Sequence, residues 1–280
     1  LKVKTYLVFG ILAVLLFLAY SGLEHFEDTR IPGVLQRIGI VYFFTSLLYL
    51  KTNLKTQIIT AVSILVGYYL LMAFVPVPGI GEANFEKGTN LAAWLDNLLL
   101  NGHLWSVSKT WDPEGILSTL PAVATGLAGL FAGRYLQGSA KASVLFAAGA
   151  IALAVGTIWG WYFPINKALW TSSYVLVAAG WDLLLLAVLQ ATIRSDKYWK
   201  PVLIFGMNPM LVFFFSGIIP RVLGMIKIGE DGLTSWIYSQ GIEPLFADKM
   251  NASLAGALIY VLIWAVILYF FDARKRYYKV

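Results

Sequence analysis

Three side chains suited to proton transfer lie close together between two apolar segments of the chain: His103, Asp112 and Glu114. Histidine and carboxylates are the usual general acids and bases of enzymes. In TWDPEGILSTLP (110–121), both acids stand where a helix would enter lipid. Two interpretations remain open. Asp112 before Pro113 fits a helix N-cap, whereas charged groups gathered at membrane depth usually serve binding or catalysis.

Other polar side chains stand at the ends of apolar segments or interrupt them. An arginine guanidinium can hold an anion through two hydrogen bonds, and a lysine can offer a point charge to phosphate or carboxylate. A proline inside an apolar segment frees backbone groups that need partners. The candidates for ligand binding are Gln36, Arg37, Asn166, Lys167, Ser172 and Asn208. Apart from Lys167, which the turn chemistry of its loop does not explain, these residues also fit structural roles in turns or as polar contacts between helices.

The composition of the chain predicts a membrane protein. Hydrophobic residues make up 59% of the 280 residues and charged residues 13%, against about a quarter charged in ordinary globular domains. Apolar segments of about twenty residues, the length that a bilayer core requires, recur along the chain. The fold class that follows is all-α, a polytopic transmembrane helical bundle. The chain has no cysteine, which excludes a thioester intermediate on these 280 residues.

Eight membrane spans are predicted from apolar length and from helix breakers. They are Tyr6–Leu23, Val34–Leu50, Gln57–Val75, Ile116–Leu136, Ser143–Trp161, Ser172–Ile193, Pro201–Leu223 and Leu254–Phe271. This alternation places thirteen of the 21 Lys and Arg residues on one side of the membrane and twelve of the 15 acids on the other. The positive-inside rule then predicts that both termini lie in the cytoplasm. The basic excess is therefore a topology signal, and no nucleic-acid partner is expected.

The stretch TNLAAWLDNLLLNG (89–102) predicts a short amphipathic helix in the membrane interface. Its apolar side chains are Leu91, Trp94, Leu95, Leu98 and Leu99. It is too short to span a bilayer, and it fits either a cover over the mouth of the bundle or a loop helix packed on it.

Four ordered pieces of the chain together resemble the heparan-α-glucosaminide N-acetyltransferase family and its bacterial membrane relatives. The pieces are RIPGVLQRIGIVYF (30–43), NGHLWSVSKTWDPEGILSTLP (101–121), PINKALWTSSYVL (164–176) and FGMNPMLVF (205–213). The resemblance implies a membrane-embedded acyltransferase that moves an acetyl group from acetyl-CoA to an amino sugar at the outer face. It also implies an integral protein of the bacterial inner membrane and a homodimer.

The site that the resemblance implies includes one residue not singled out above, Arg30. The candidates carried over from the four pieces are His103, Asp112 and Glu114 for catalysis, and Arg30, Gln36, Arg37, Asn166, Lys167, Ser172 and Asn208 for binding substrate or CoA. Acetyl-CoA is expected as the co-substrate. No metal is expected, because the two histidines lack the spacing of a metal site.

Family members begin with further helices that carry the expected catalytic histidine, and this chain starts after that region. We therefore expect residues 1–280 to form a single transmembrane acyltransferase-like domain that is the C-terminal portion of a longer chain. The competing hypothesis is a sugar permease or a non-catalytic membrane subunit, since broken helices and a polar outer mouth suit those classes as well.

Overall fold

A computed structural model describes residues 29–138, 141–193 and 196–277 of the chain. Ten α-helices are present in these ranges: α1 Val34–Lys51, α2 Leu54–Phe74, α3 Leu91–Leu100, α4 Ile116–Leu136, α5 Ala142–Trp159, α6 Ser172–Thr192, α7 Asp196–Met207, α8 Pro209–Met225, α9 Leu233–Trp236 and α10 Lys249–Ala273. Between α8 and α9 the two-residue strands β1 Lys227–Ile228 and β2 Asp231–Gly232 pair antiparallel. A π-helical turn Ile237–Ile242 and a 3₁₀ turn Glu243–Leu245 follow α9. The all-α class predicted from the sequence is confirmed.

The predicted spans agree closely with the observed helices. Among the described residues, six helices are long and apolar enough to cross a bilayer, and a bent pair makes seven if it is counted as one span. The predicted span Ile116–Leu136 coincides with α4, and the other ends differ by a few residues. The first predicted span, Tyr6–Leu23, lies outside the described residues. The total of eight spans and the orientation of the termini therefore stay predictions.

Large apolar side chains cover the outside of the helices. Tyr42, Phe43, Phe74 and Ile151 each expose more than half of their surface. In water such a surface would favour aggregation, but in a bilayer the hydrocarbon tails are its natural solvent. The helices therefore pack through selected positions, and most of their apolar surface is free to contact lipid.

Packing divides the chain into two compact units, Leu1–Ala191 and Thr192–Val280. In the first unit, α4 is central and contacts α1, α2 and α3. Leu127 of α4 is fully buried, and a second buried cluster forms around Tyr68, Met72 and Phe163. The start of α4 is therefore held by three other helices, which makes it a suitable place to fix polar side chains. The single domain expected from the sequence stays a prediction.

Helices α5 and α6 approach each other closely through glycines. A Cβ atom added to Gly149 would lie 2.9 Å from the carbonyl oxygen of Gly180, and one added to Gly156 would lie 2.8 Å from the backbone nitrogen of Val177. Small residues allow such close contact of helix backbones in a membrane, where packing rather than the hydrophobic effect holds helices together. This contact fixes the connection 160–171, which carries several of the predicted site residues.

In the second unit, a break separates α7 from α8. The predicted seventh span is two helices that meet at 77°, and Asn208 lies between them with φ −134° and ψ 46°. Pro209 at the start of α8 has no N–H and disfavours helical backbone at the residue before it. The interruption predicted at Asn208-Pro209 is therefore confirmed.

Candidate functional site

A charge cluster lies where α1 and α4 begin. Arg30 donates from Nε to Asp112 Oδ2 at 2.8 Å and from Nη2 to Asp112 Oδ1 at 2.6 Å. Nη2 also contacts Glu114 Oε2 at 2.5 Å. The side chain of Asp112 is fully buried, whereas those of Glu114 and Arg30 are 19% and 32% exposed. The cluster therefore presents one carboxylate and part of a guanidinium at its surface, and keeps the second carboxylate inside.

Arg30 is hydrogen-bonded to Asp112 and Glu114, which lie more than 80 residues later in the sequence. Hydrogen bonding to Asp112 is the main reason why the pKa of the Arg30 guanidinium is raised above its ordinary value. A bidentate arginine–carboxylate pair has a fixed relative geometry. Asp112 and Glu114 are therefore held as a pair on one cation.

Residues 112–115 form a turn before α4, so Asp112 is not at the N-cap position that the capping interpretation required. Helix α4 begins at Ile116 with Gly115 as its N-cap, and Pro113 lies before the helix. Asp112 Oδ1 accepts the N–H of Glu114 at 2.9 Å and closes a turn of its own. The interpretation of Asp112 as the cap of the following helix, with Pro113 as the first helical residue, is therefore wrong. The carboxylate of Asp112 is instead used by Arg30 and by the turn.

His103 binds to the segment that carries Arg30. Its Nδ1 lies 2.9 Å from the carbonyl oxygen of Thr29, and its own carbonyl oxygen accepts the N–H of Ile31 at 2.9 Å. These two contacts bracket Arg30 and hold it against the connection between α3 and α4. The structure thus places His103 beside the cluster, while its role in catalysis stays a prediction.

Arg37 lies behind the turn, one helical turn inside α1. It is 6% exposed and donates from Nη2 to Ser118 Oγ and to the carbonyl oxygen of Gly115, at 3.3 Å for the latter. Its guanidinium carbon lies 5.1 Å from the centre of the Trp170 ring. Nε and Nη1 are buried and have no hydrogen-bond partner within the part of the chain that the structure describes. Buried donors without partners are costly, so a ligand that accepts from them would be favoured.

Two of the predicted binding residues make internal hydrogen bonds. Asn166 Oδ1 accepts the N–H groups of Ala168 and Leu169 and thereby closes the turn before α6. Ser172 is fully buried and donates to the carbonyl oxygen of Leu65 at 2.7 Å. These contacts fit the structural interpretation that the sequence left open. Their use in ligand binding stays a prediction.

The remaining predicted residues have different positions. Gln36 is exposed on α1, and Lys167 is exposed in the connection between α5 and α6. Asn208 is buried at the α7–α8 break, in the second unit. In the first unit, Arg30, His103, Asp112 and Glu114 are therefore brought together, with Arg37 directly behind them.

Asp96 is a site residue that reasoning from the sequence missed. The interfacial helix α3 is present as predicted, but it packs through Ala92, Ala93 and Asp96, while Leu98 and Leu99 are 59% exposed. On the predicted apolar face, Leu91, Trp94 and Leu95 are partly buried. Leu98 and Leu99 point away from the bundle, where lipid can cover them, while the small residues allow close packing. The signal for Asp96 in the sequence was an acidic residue on the same face of an apolar helix as Ala92 and Ala93.

Trp170 is a second residue that lies at the site and was not among the candidates from the sequence. As an aromatic residue at a span end, it fits the interfacial belt. In the structure it is half-buried, donates from Nε1 to Thr125 Oγ1 at 3.1 Å and lies under Arg37. Its φ of 51° is in the left-handed region, which costs energy for a bulky residue and often marks functional sites.

A cavity of about 710 Å³ opens beside the cluster, between α1, α2 and α4. Its polar lining includes Gln36, Arg37 and Glu114, and the rest is mainly apolar, as far along α1 as Leu47 and Leu48. From Gln36 to Leu48 the rise of a helix is about 18 Å. The cavity therefore extends along α1, polar where it meets the cluster and mainly apolar further along. Such a shape suits a chain-like ligand that carries a polar reactive group at one end.

Fold and site together define a class of protein: an all-α polytopic membrane protein with a buried charge cluster at one end of its first unit and an elongated cavity beside it. No protein-family model matches the chain. The chain is 29% identical over 314 aligned positions to human (Homo sapiens) heparan-alpha-glucosaminide N-acetyltransferase, an alignment that covers 91% of this chain and 44% of the relative. The mouse (Mus musculus) protein of the same name is 24% identical over 312 positions, with 91% and 45% covered.

The chain is therefore a distant relative of the heparan-α-glucosaminide N-acetyltransferases, and the resemblance seen in the sequence is confirmed. It spans under half the length of the curated relatives that it matches. Within the described ranges, no three His, Asp or Glu side chains come together as a metal site would require, and the absence of a metal stays a prediction.

Proposed function

We propose that this protein is a membrane-embedded N-acetyltransferase that moves an acetyl group from acetyl-CoA to a glucosamine-type amino sugar at the outer face of the membrane. The observation that carries the proposal is the cluster in which Arg30 holds both Asp112 and Glu114 beside a long cavity. The two similar proteins are named as N-acetyltransferases of a glucosaminide, which supports the same chemistry.

Glu114 is the proposed general base. Of the two acids it is the one that lines the cavity and is partly exposed, whereas Asp112 is buried against Arg30. The amine nitrogen attacks the thioester carbonyl carbon, so that a C–N bond forms and the C–S bond breaks. The carboxylate accepts the proton that leaves the nitrogen and passes it to the departing sulfur, which gives an amide and free CoA thiol. Asp112 orients Arg30 in this scheme, and His103 fixes the segment that carries Arg30.

Arg37 is proposed to stabilise negative charge. Its Nε and Nη1 are buried without partners among the described residues, and it lines the cavity together with Glu114. A preorganised donor aimed at the developing oxyanion is among the largest contributions to acyl transfer. Gln36 lies at the same end of the cavity. Lys167, Asn166, Ser172 and Asn208 keep their proposed roles in binding substrate or CoA.

The elongated cavity is proposed to accommodate the acetyl-pantetheine arm. Acetyl-CoA is a cytosolic compound, so a site at the outer face requires that the arm reach across much of the bundle. The cavity follows α1 for about three turns from Gln36 to Leu48. Its apolar lining fits the methylene groups of the arm, and its polar end brings the thioester to Glu114 and Arg37.

The test is acetyl transfer by the purified protein in detergent. Radiolabelled acetyl-CoA and glucosamine are expected to give labelled N-acetylglucosamine, without any sealed compartment. A permease needs a compartment and makes no new bond, so it would bind or move the sugar and leave it unacetylated. Protein that binds glucosamine but transfers no label would overturn the proposal.

The location of the site can be tested by cysteine labelling, since residues 1–280 contain no cysteine. Lys167 is exposed at the end of the first unit that carries the cluster, and Lys55 is exposed at the opposite end, near the start of α2. In intact cells, a membrane-impermeant maleimide is expected to label Lys167→Cys at once and Lys55→Cys only after permeabilisation. The reverse pattern would place the cluster in the cytoplasm and contradict the proposed outer-face reaction.

A further inference from the structure

The carboxylate of Asp96 reaches the start of α4 from another helix. Asp96 is 1% exposed, and its Oδ1 accepts the N–H of Ile116 at 2.8 Å. The backbone of Asp112 interacts with the same carboxylate and favours its charged form. Ile116 and Asp112 lie at the two ends of the turn 112–116, which carries both acids of the cluster. One side chain therefore interacts with the main chain on either side of Glu114.

The carboxylate lies directly against the main chain of Gly115, where no side chain would fit. A Cβ atom added to Gly115 would lie 1.9 Å from Asp96 Oδ2. Gly115 is the N-cap residue of α4 and has no side chain with which to cap. The capping that the sequence suggested for Asp112 is thus supplied by Asp96, whose negative charge also suits the positive end of the helix dipole.

We propose that Asp96 is the positioning residue of this site: through its hydrogen bond to the Ile116 N–H and its contact with the turn at Gly115, its ionised carboxylate sets the direction in which Glu114 faces the cavity. The inference rests on the proposed acetyl transfer, to which it adds a residue that touches no substrate. An ionised carboxylate accepts at both oxygens, whereas a protonated carboxyl or an amide has one oxygen that accepts well and one group that donates. The ionised form is therefore the stronger acceptor for the backbone of the turn.

The groups around Asp96 bring its pKa into a range that can be studied with the folded protein. Burial raises the pKa of Asp96 to about 6, the backbone N–H groups of Ile116 and Asp112 lower it, the charge of Asp112 raises it and Arg37 on α1 lowers it. Among the described residues, Tyr68 on α2 also interacts with it. Asp96 is therefore mainly ionised at pH 8 and mainly neutral at about pH 5.

The first test compares Asp96→Asn with the wild type across this pH range. The amide has the size of the carboxyl and resembles its neutral form. We expect turnover of the variant to be lower by about tenfold at pH 8 and to approach the wild-type value at about pH 5, where the wild-type side chain is neutral as well. Taking the ratio of the two rates removes the pH dependence that both proteins share, including that of the substrate amine.

Stability is expected to change in the opposite sense. The pKa of Asp96 is raised by folding, so its contribution to stability is fully present below the unfolded pKa and is lost as the pH rises through about 6. Asp96→Asn carries no charge to bury, and its melting temperature at pH 8 is expected to equal or exceed that of the wild type. A residue with a purely structural role would lose activity and melting temperature together, at every pH.

Gly115→Ala is the complementary variant, because its added methyl group displaces the carboxylate without removing it. It is expected to lower turnover at pH 8, while Gly129→Ala in the same helix, with nothing within 4 Å of the added atom, is expected to leave turnover unchanged. Glu82→Gln removes an exposed acid between α2 and α3 and serves as the matched charge control.

Hydrogen–deuterium exchange of the segment 112–118 tests the positioning independently of the reaction. At pH 8 the segment is expected to exchange about tenfold faster in Asp96→Asn than in the wild type, with no change in α5. If the wild-type protein transfers no acetyl group while this difference appears, the proposed function fails and the positioning stands. Unchanged exchange, or a rate ratio that is constant across the pH range, would overturn the role of Asp96.

Discussion

Replacement of Glu114 by glutamine is expected to lower the rate of acetyl transfer by about 10²- to 10⁴-fold, the range that a general base contributes. Glutamine keeps the size of the side chain and its contact with Arg30, but it cannot accept the proton of the attacking amine. The effect is expected in kcat, because the proton moves in the reaction step and contributes little to substrate binding. Single-turnover kinetics with pre-bound acetyl-CoA would measure this step directly.

Folding is expected to change little in the same variant. The pair between Glu114 and Arg30 is partly exposed on both sides, and such pairs contribute about 1 kcal/mol or less. Glu82→Gln, an exposed acid outside the cluster, is the matched control and should retain full activity. Glu114→Gln with near wild-type kcat would remove Glu114 from the mechanism and leave His103 as the candidate base.

Loss of Arg30 is expected to produce the largest change in stability. In Arg30→Gln, the buried carboxylate of Asp112 loses a bidentate cation and has Glu114 close by. Removing one partner of a buried ion pair costs about 3 to 5 kcal/mol. Because the Arg30 side chain is 32% exposed and water can replace part of its charge, we expect about 2 kcal/mol. The decrease is measurable as thermal unfolding in detergent, followed by tryptophan fluorescence.

A second substitution separates the unpaired charge from other effects of the Arg30 change. In the double variant Arg30→Gln with Asp112→Asn, no charge is left buried, and at least about half of the lost stability is expected to return. Arg221→Gln is the control, because Arg221 is exposed and donates to a backbone carbonyl of its own helix. Additive losses in the double variant would mean that Arg30 and Asp112 act on stability independently.

The cluster also gives the catalytic hypothesis a physical basis that the sequence lacked. The two acids beside each other were compatible with helix capping, and their roles were not distinguishable from their order in the chain. Burial of Asp112 and partial exposure of Glu114 assign them different roles. One acid holds the cation in place, and the other is proposed to accept the proton.

The membrane helices of this protein were largely determined by the sequence alone. The length of an apolar segment and the position of glycine, proline or asparagine are local properties, so α4 and the break at Asn208 were predicted with accurate bounds. The acids and basic residues that stand between apolar segments were likewise visible as a set. Helix bounds and the position of charged residues depend mainly on the free energy of transferring one continuous segment into lipid. The helices that pack against that segment affect them little.

The tertiary structure decided which polar groups meet. Arg30 and Asp112 are 82 positions apart, and Asp96 is 20 positions from the Ile116 N–H that it caps. The tertiary structure also determined which face of α3 packs against the bundle. In a membrane, an apolar surface can be covered equally well by lipid or by protein, so hydrophobicity does not specify that face. Hydrophobicity therefore specifies which segments enter the bilayer, whereas close packing and pairing of buried charges specify how they are arranged. The latter depend on contacts between distant parts of the chain, which no local pattern contains.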